Sequence, residues 1–151
     1  MKRKNGKSGA DEIGILVAVY GTLMQGERNA RWRQGIPTIA ETCVPGVLYD
    51  TGYGFPAFVP HGMEPKSARK FQVHVEVLET DEDGLARMDV LEGYPNLYRR
   101  ERIVVDVNGQ KRLAWVYVMN RLPEHAEVID FPDWRVFAEK QRRRLARRGR
   151  A

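Results

Sequence analysis

Asn108-Gly109 separates two strand-like runs, residues 99–107 and 110–119, and no other local pattern constrains this chain as tightly. Both residues tolerate the left-handed backbone region, so Asn-Gly between two such runs favours a two-residue type I′ hairpin turn. A turn of that length fixes the register, with Trp115 facing Arg102 and Leu113 facing Val104. Neither face of the hairpin is then purely polar, which suits a curved or closed sheet better than a flat one with a wet side.

Other segments supply the rest of a sheet. Residues 15–20 form a nearly continuous apolar run stopped by Gly21, the pattern of a central strand buried on both faces. Residues 23–35 mix helix formers with polar residues and predict an irregular, partly helical excursion ending at Gly35 and Pro37. Residues 38–49 read as extended, interrupted at Pro45-Gly46, and lead into residues 50–56, a glycine- and aromatic-rich loop able to line a pocket. Residues 70–78 alternate, with Phe71, Val73, Val75 and Val77 on one face and Gln72, His74 and Glu76 on a polar one, predicting a half-buried strand. Leu85, Met88 and Leu91 at threefold spacing predict an amphipathic helix over 81–91, with Asp81 and Asp83 available as caps and Gly93 ending it. Pro132 opens a last helix reaching residue 148, whose basic end complements the helix dipole.

At 151 residues, with 42% hydrophobic and 30% charged side chains, the chain is expected to form one domain around a real core. The organisation read from it is a disordered basic tail over 1–14, a single domain over 15–138 and a basic helix or tail over 139–151. The single cysteine, Cys43, excludes an internal disulfide, and His61, His74 and His125 show no zinc-ligand spacing. Neither a metal nor a cofactor is expected. No apolar run approaches membrane-spanning length and residues 1–14 lack a signal-type apolar region, so the expectation is a soluble, cytoplasmic monomer with no membrane partner. The net charge of +5 belongs to the ends: four basic residues oppose Asp11 and Glu12 at the start and seven oppose Glu139 in the last thirteen, leaving 13–138 at −3. An acidic body is not a phosphate-tracking fold, so nucleic acid is expected to be attracted only weakly, through the C-terminal tail. Those arginines surround the helix, which is not a membrane-surface pattern.

Two places carry chemistry. The turn Tyr20-Gly21-Thr22-Leu23 ends a buried strand, and successive backbone N–H groups in such a turn can form a nest for a carboxylate; the same glycine also suits an ordinary strand exit. Glu92 falls in the last turn of its predicted helix, where the dipole and apolar neighbours would raise its pKa toward acid/base use, although a solvated surface glutamate fits too. Asp89, one turn earlier, is the rival carboxylate or a solvent-facing residue. Cys43 reads as a small buried core residue and His74 as solvated. Trp115 and Tyr117 read as core or pocket-wall aromatics, with the Tyr117 hydroxyl needing a partner if buried.

Taken together, Val19-Tyr20-Gly21-Thr22-Leu23-Met24, Pro45-Gly46-Val47-Leu48-Tyr49, Phe55-Pro56-Ala57, Met88-Asp89-Val90-Leu91-Glu92-Gly93-Tyr94 and Tyr98-Arg99-Arg100 resemble the gamma-glutamylcyclotransferase-like family, in its gamma-glutamylamine cyclotransferase-like branch. Ala114-Trp115-Val116-Tyr117-Val118 and Asp133-Trp134-Arg135 extend the likeness over roughly residues 15–137. The resemblance implies an α+β fold, a small partly closed mixed β barrel with flanking short helices. It also implies a metal-free enzyme that acts on a small-molecule gamma-glutamyl substrate and releases 5-oxoproline and a free amine or amino acid. In the family the Tyr-Gly-Thr-Leu turn cradles the α-amino acid end and a glutamate is the acid/base, roles that fall on Tyr20, Gly21, Thr22, Leu23 and Glu92. Tyr98 and Tyr117 are the further substrate-binding candidates. The alternative from another class is a non-catalytic binding or interaction module of the same fold, whose basic C-terminus recruits nucleic acid or an acidic partner.

Overall fold

The computed structural model describes residues 14–62, 71–130 and 133–149. The apolar run becomes β1 (Ile15–Val19), whose last four residues are all buried. Leu16 and Ala18 enter one core, Val17 and Val19 the other. A strand between two apolar layers needs apolar side chains at consecutive positions, which is why this run does not alternate. Thr38–Asp50 (β2), Pro56–Pro60 (β3), Phe71–Thr80 (β4), Tyr98–Val107 (β5), Gln110–Met119 (β6) and Glu127–Val128 (β7) complete the sheet, with α1 at Glu82–Glu92 and α2 at Trp134–Gly149. The excursion after β1 contains one 3₁₀ turn, Ala30–Arg33.

The strands are ordered β3-β2-β4-β1-β6-β5, with β7 added to β2. β1 runs parallel to β6, and every other pairing is antiparallel. The edge strands β3 and β5 approach each other, and the Tyr98 hydroxyl donates to the Pro56 carbonyl at 3.1 Å. The result is a nearly closed mixed barrel with two helices. In the β5–β6 hairpin Asn108 (φ 53°) and Gly109 (φ 88°) take the left-handed conformation, and Arg102 pairs with Trp115 and Val104 with Leu113. The guanidiniums of Arg100 and Arg102 stack on the Trp115 ring at 4.9 and 4.5 Å, cation–π contacts on a half-buried indole that also packs against the second core.

α1 is capped as its sequence predicts. Asp81 Oδ1 accepts from Gly84 N–H at 2.9 Å, Leu85 and Met88 are buried, and Gly93 ends the helix at φ 68°. α2 buries Trp134 against Phe137, but beyond Gln141 all its described residues are exposed. Arg142 and Arg143 pair there with Glu139 at 2.7 and 3.1 Å. Pro132, Lys70 and residues 1–13 lie outside the described residues. No helix among the described residues is long and apolar enough to cross a membrane.

Four expectations are corrected. β2 is not interrupted at Pro45-Gly46; the strand changes partners there, pairing with β4 up to Gly46 and with β3 from Gly46 onward. Pro45 needs no N–H at this switch, and its carbonyl accepts from His61 N–H at 3.2 Å. Cys43 is exposed rather than core, because its register partner is His74 and both lie on the outer face. His74 is only partly exposed and is bonded to Glu41 at 2.8 Å. Glu76, assigned to a polar face, is fully buried. Its carboxylate accepts from Arg33 at 2.7 Å, Arg135 at 3.1 Å and Gln25 N–H at 3.0 Å. Burying a carboxylate without such partners would be prohibitive.

Two stability measurements check this packing. A Cβ at Gly46 would lie 2.5 Å from Phe58 Cε1 and 2.7 Å from the Val59 carbonyl, so Gly46→Ala is expected to lower urea-unfolding stability by about 1–3 kcal/mol. Glu76→Leu leaves the buried Arg33 guanidinium without its closest counter-charge and is expected to lower it more, by about 3–5 kcal/mol.

Candidate active site

Topology assembles the site at one end of the sheet. Because β1 and β6 are parallel, with Ala18 beside Val116, both strands finish at the same end. β5 starts there, Tyr98 pairing with Met119 and Arg100 with Tyr117. The turn after α1 is tied to the same place, since Leu97 N–H donates to Gly93 C=O at 2.8 Å and Asn120 N–H to Leu97 C=O at 3.0 Å. The chain leaving β1, the end of α1, the start of β5 and the end of β6 therefore meet.

Between them lies a cavity of about 100 Å³. Ala18 to Leu23 form one wall, Phe55 and Pro56 a second, Leu91 and Glu92 a third, and Leu97, Tyr98 and Tyr117 close it. All seven residues singled out from sequence, Tyr20, Gly21, Thr22, Leu23, Glu92, Tyr98 and Tyr117, line this one space. The loop expected to line a pocket does so through Phe55, whose carbonyl accepts from the Thr51 hydroxyl at 2.6 Å. Leu97 was missed, because nothing in its own sequence neighbourhood distinguishes it.

The turn after β1 is held from several sides. A Cβ on Gly21 would come within 2.7 Å of Pro56 Cγ, so glycine is required for β3 to approach. Met24 N–H donates to Gly21 C=O at 3.0 Å, and Asn29 bonds Thr22 twice, backbone N–H to C=O and side-chain Nδ2 to Oγ1, both at 2.9 Å. Among the described residues the N–H groups of Gly21, Thr22 and Leu23 have no acceptor, leaving three backbone donors at this turn.

The opposite wall carries the titratable groups. Burial among apolar neighbours pushes the Glu92 carboxyl up to about 7, and removal from water alone is enough, without the helix dipole invoked from sequence. Burial likewise drives the phenols of Tyr20, Tyr98 and Tyr117 above their ordinary value, the nearby Glu92 charge adding to each. Asp89 does not line the cavity. It accepts from the Tyr117 hydroxyl at 2.6 Å and faces Arg100 Nε at 3.4 Å, so it is not a free surface group. No cluster of His, Cys, Asp and Glu among the described residues could hold a metal ion. The arrangement can therefore bind a small zwitterion between backbone donors and oxygen acceptors, and move one proton at Glu92.

Comparison with known proteins identifies the family. Residues 17–136 match the family described as gamma-glutamyl cyclotransferase, AIG2-like. The chain is 35% identical over 121 residues to a Vibrio cholerae protein whose gamma-glutamylcyclotransferase assignment is itself provisional, covering 79% of this chain and 94% of that one. It is 32% identical over 126 residues to the gamma-L-glutamyl-butirosin B gamma-glutamyl cyclotransferase of Niallia circulans, covering 79% and 74%. Its fold matches that of an uncharacterized Pyrococcus horikoshii protein with a TM-score of 0.63 at 21% identity, over 85% of this chain and 97% of the other. A match running from inside β1 into α2 leaves no element of the cavity outside it, and the chain belongs to the gamma-glutamyl cyclotransferase, AIG2-like family.

Proposed function

We propose that this protein is a metal-free gamma-glutamyl cyclotransferase that closes the glutamyl group of a gamma-glutamyl compound into 5-oxoproline and frees the attached amine or amino acid, with Glu92 as general acid/base. The observation that carries this reading is Glu92, poised near neutrality, in the same cavity as the donor-rich turn Gly21 to Leu23. Family membership supports cyclotransferase chemistry in general, and the finer assignment rests on the site.

The substrate's α-carboxylate binds the backbone N–H groups after β1 and its α-ammonium group faces Glu92. Glu92 takes one proton from the ammonium group. The freed nitrogen attacks the side-chain amide carbon, forming the ring N–C bond. The bond from that carbon to the leaving nitrogen then breaks, and Glu92 returns its proton to the departing amine. The ring nitrogen sheds its remaining extra proton to solvent as the freed amine takes one up. Nucleophile and electrophile belong to one molecule, so holding them in near-attack geometry supplies much of the acceleration. A cavity of about 100 Å³ suits the glutamyl head alone and leaves the departing group outside.

Glu92→Gln is expected to keep its circular dichroism spectrum and to lose 5-oxoproline release by about 10²- to 10⁴-fold across a panel of gamma-glutamyl amines, gamma-glutamyl amino acids and glutathione. In the wild type, kcat/KM should fall as pH drops through about 7 and Glu92 becomes protonated. Undiminished release by the Gln variant would sink the assignment.

The same carboxyl makes a second prediction. Its folded pKa of about 7 lies above the ordinary 4.5, so folding favours the protonated form. Below pH 4.5 both states are protonated and nothing is lost. From there to about 7 the unfolded chain ionises first, and the wild type is expected to lose up to about 3 kcal/mol relative to Glu92→Gln. Melting curves of the pair at pH 4 and pH 8 measure this; a Tm difference independent of pH contradicts it.

A further inference from the structure

Three tyrosines line the cavity, and each has already committed its only hydroxyl proton to the protein. Tyr20 donates to the Tyr117 carbonyl at 2.7 Å, Tyr98 to the Pro56 carbonyl at 3.1 Å and Tyr117 to Asp89 Oδ1 at 2.6 Å. A phenol offers one donor and retains lone pairs for acceptance, so a committed phenol can only accept from a ligand. The Tyr20 oxygen also takes a backbone hydrogen bond from Phe58, so the acceptors left beside the Glu92 carboxylate are the Tyr98 and Tyr117 oxygens. The donors lie elsewhere, in the N–H groups of Gly21 to Leu23 and the Thr22 hydroxyl. The cavity thus has a donor end and an acceptor end, matching the carboxylate and the ammonium group of an α-amino acid.

Two of the three commitments are to backbone carbonyls, which cannot donate in return. The third is to a side chain. Asp89 is held opposite Arg100, whose Nε lies 3.4 Å from Oδ1 and has no hydrogen-bond acceptor of its own among the described residues. The Arg100 guanidinium lies against the rings of Tyr94 and Trp115, at 4.4 and 4.9 Å from their centroids. That cation is the charge partner of the Asp89 carboxylate, whose Oδ1 accepts from the Tyr117 hydroxyl and, as a carboxylate oxygen, offers no proton in return.

We propose that Asp89, braced by Arg100, fixes Tyr117 as a hydrogen-bond acceptor and thereby makes the side-chain wall of the cavity selective for an ammonium group. Asp89 is a positioning residue, acting through Tyr117. The inference rests on the cavity being the gamma-glutamyl site, and its test reads binding rather than turnover. Asp89→Asn preserves shape but introduces an NH₂ that can donate to the Tyr117 oxygen, letting the phenol proton swing toward the ligand.

The probes are L-glutamate and L-2-hydroxyglutarate, which differ only in ammonium against hydroxyl at the α-carbon, titrated into the full-length protein by NMR. The wild type is expected to prefer glutamate. In Asp89→Asn that preference should shrink by about 10- to 100-fold, the range for a hydrogen bond to a charged group. Tyr117→Phe, which removes the oxygen, should shrink it comparably, and the double variant should be no worse than Tyr117→Phe alone, since residues that act through one another are not additive. A general loss of packing would weaken both ligands together and leave their ratio unchanged. An unchanged ratio in Asp89→Asn, a full additional loss in the double variant, or no preference in the wild type overturns the proposal. If 5-oxoproline is released but the ratio does not move, only this inference falls. If the ratio moves but no gamma-glutamyl compound is turned over, the reaction falls and the ammonium-selective wall stands.

Discussion

A fully buried carboxylate on β4 holds the working parts of this fold together. Glu76 bonds Gln25 N–H just after the glycine turn, Arg33 in the 3₁₀ turn and Arg135 at the start of α2. Thr38 at the head of β2 completes the group through Oγ1. Segments remote in sequence are thereby pinned to one side chain. A charge of this kind is tolerated only when its partners are in place, so the loop after β1 and the first turn of α2 must dock together or leave Glu76 uncompensated. The turn that lines the cavity is tied to this arrangement through Gln25 N–H.

The cavity itself is organised by burial. Removing Glu92 from water destabilises its ionised form and brings the carboxyl to the pH range where it can both take and return a proton. The same removal raises the pKa of three phenols and so keeps them protonated. Perturbing a carboxylate in this way costs folding free energy at neutral pH.

Much of this was legible residue by residue. The Asn108-Gly109 turn and its register followed from backbone preference at two positions, and the caps of α1 from Asp81 and Gly93, because these depend on interactions within a few residues of chain. β1 was legible because a strand buried on both faces leaves an unbroken apolar run. The cavity residues were named through the pairing of the Tyr20 to Leu23 turn with Glu92, a combination of motifs rather than a physical pattern. Illegible were Glu76 and Cys43. The alternation of β4 assigns Glu76 to a wet face, and nothing local says that Arg33 and Arg135 will cover it. Cys43 is small and sits among β-formers, and only pairing with His74 turns it outward.

The sequence by itself determined most of the elements, the caps of α1 and the tight turn, since short-range sterics and hydrogen bonding decide those; the short strands β3 and β7 carried no local signal and form only by pairing with β2. It also determined which residue types were available for the chemistry. Only the tertiary structure decided how they act. Bringing the ends of β1, α1 and β6 to one place required the parallel β1–β6 pairing, a contact between residues nearly a hundred positions apart. The pKa of Glu92 and the direction of the Tyr117 hydroxyl depend on solvent exclusion and on partners supplied by other elements. Those are properties of an enclosed volume, and a linear chain has none until it folds.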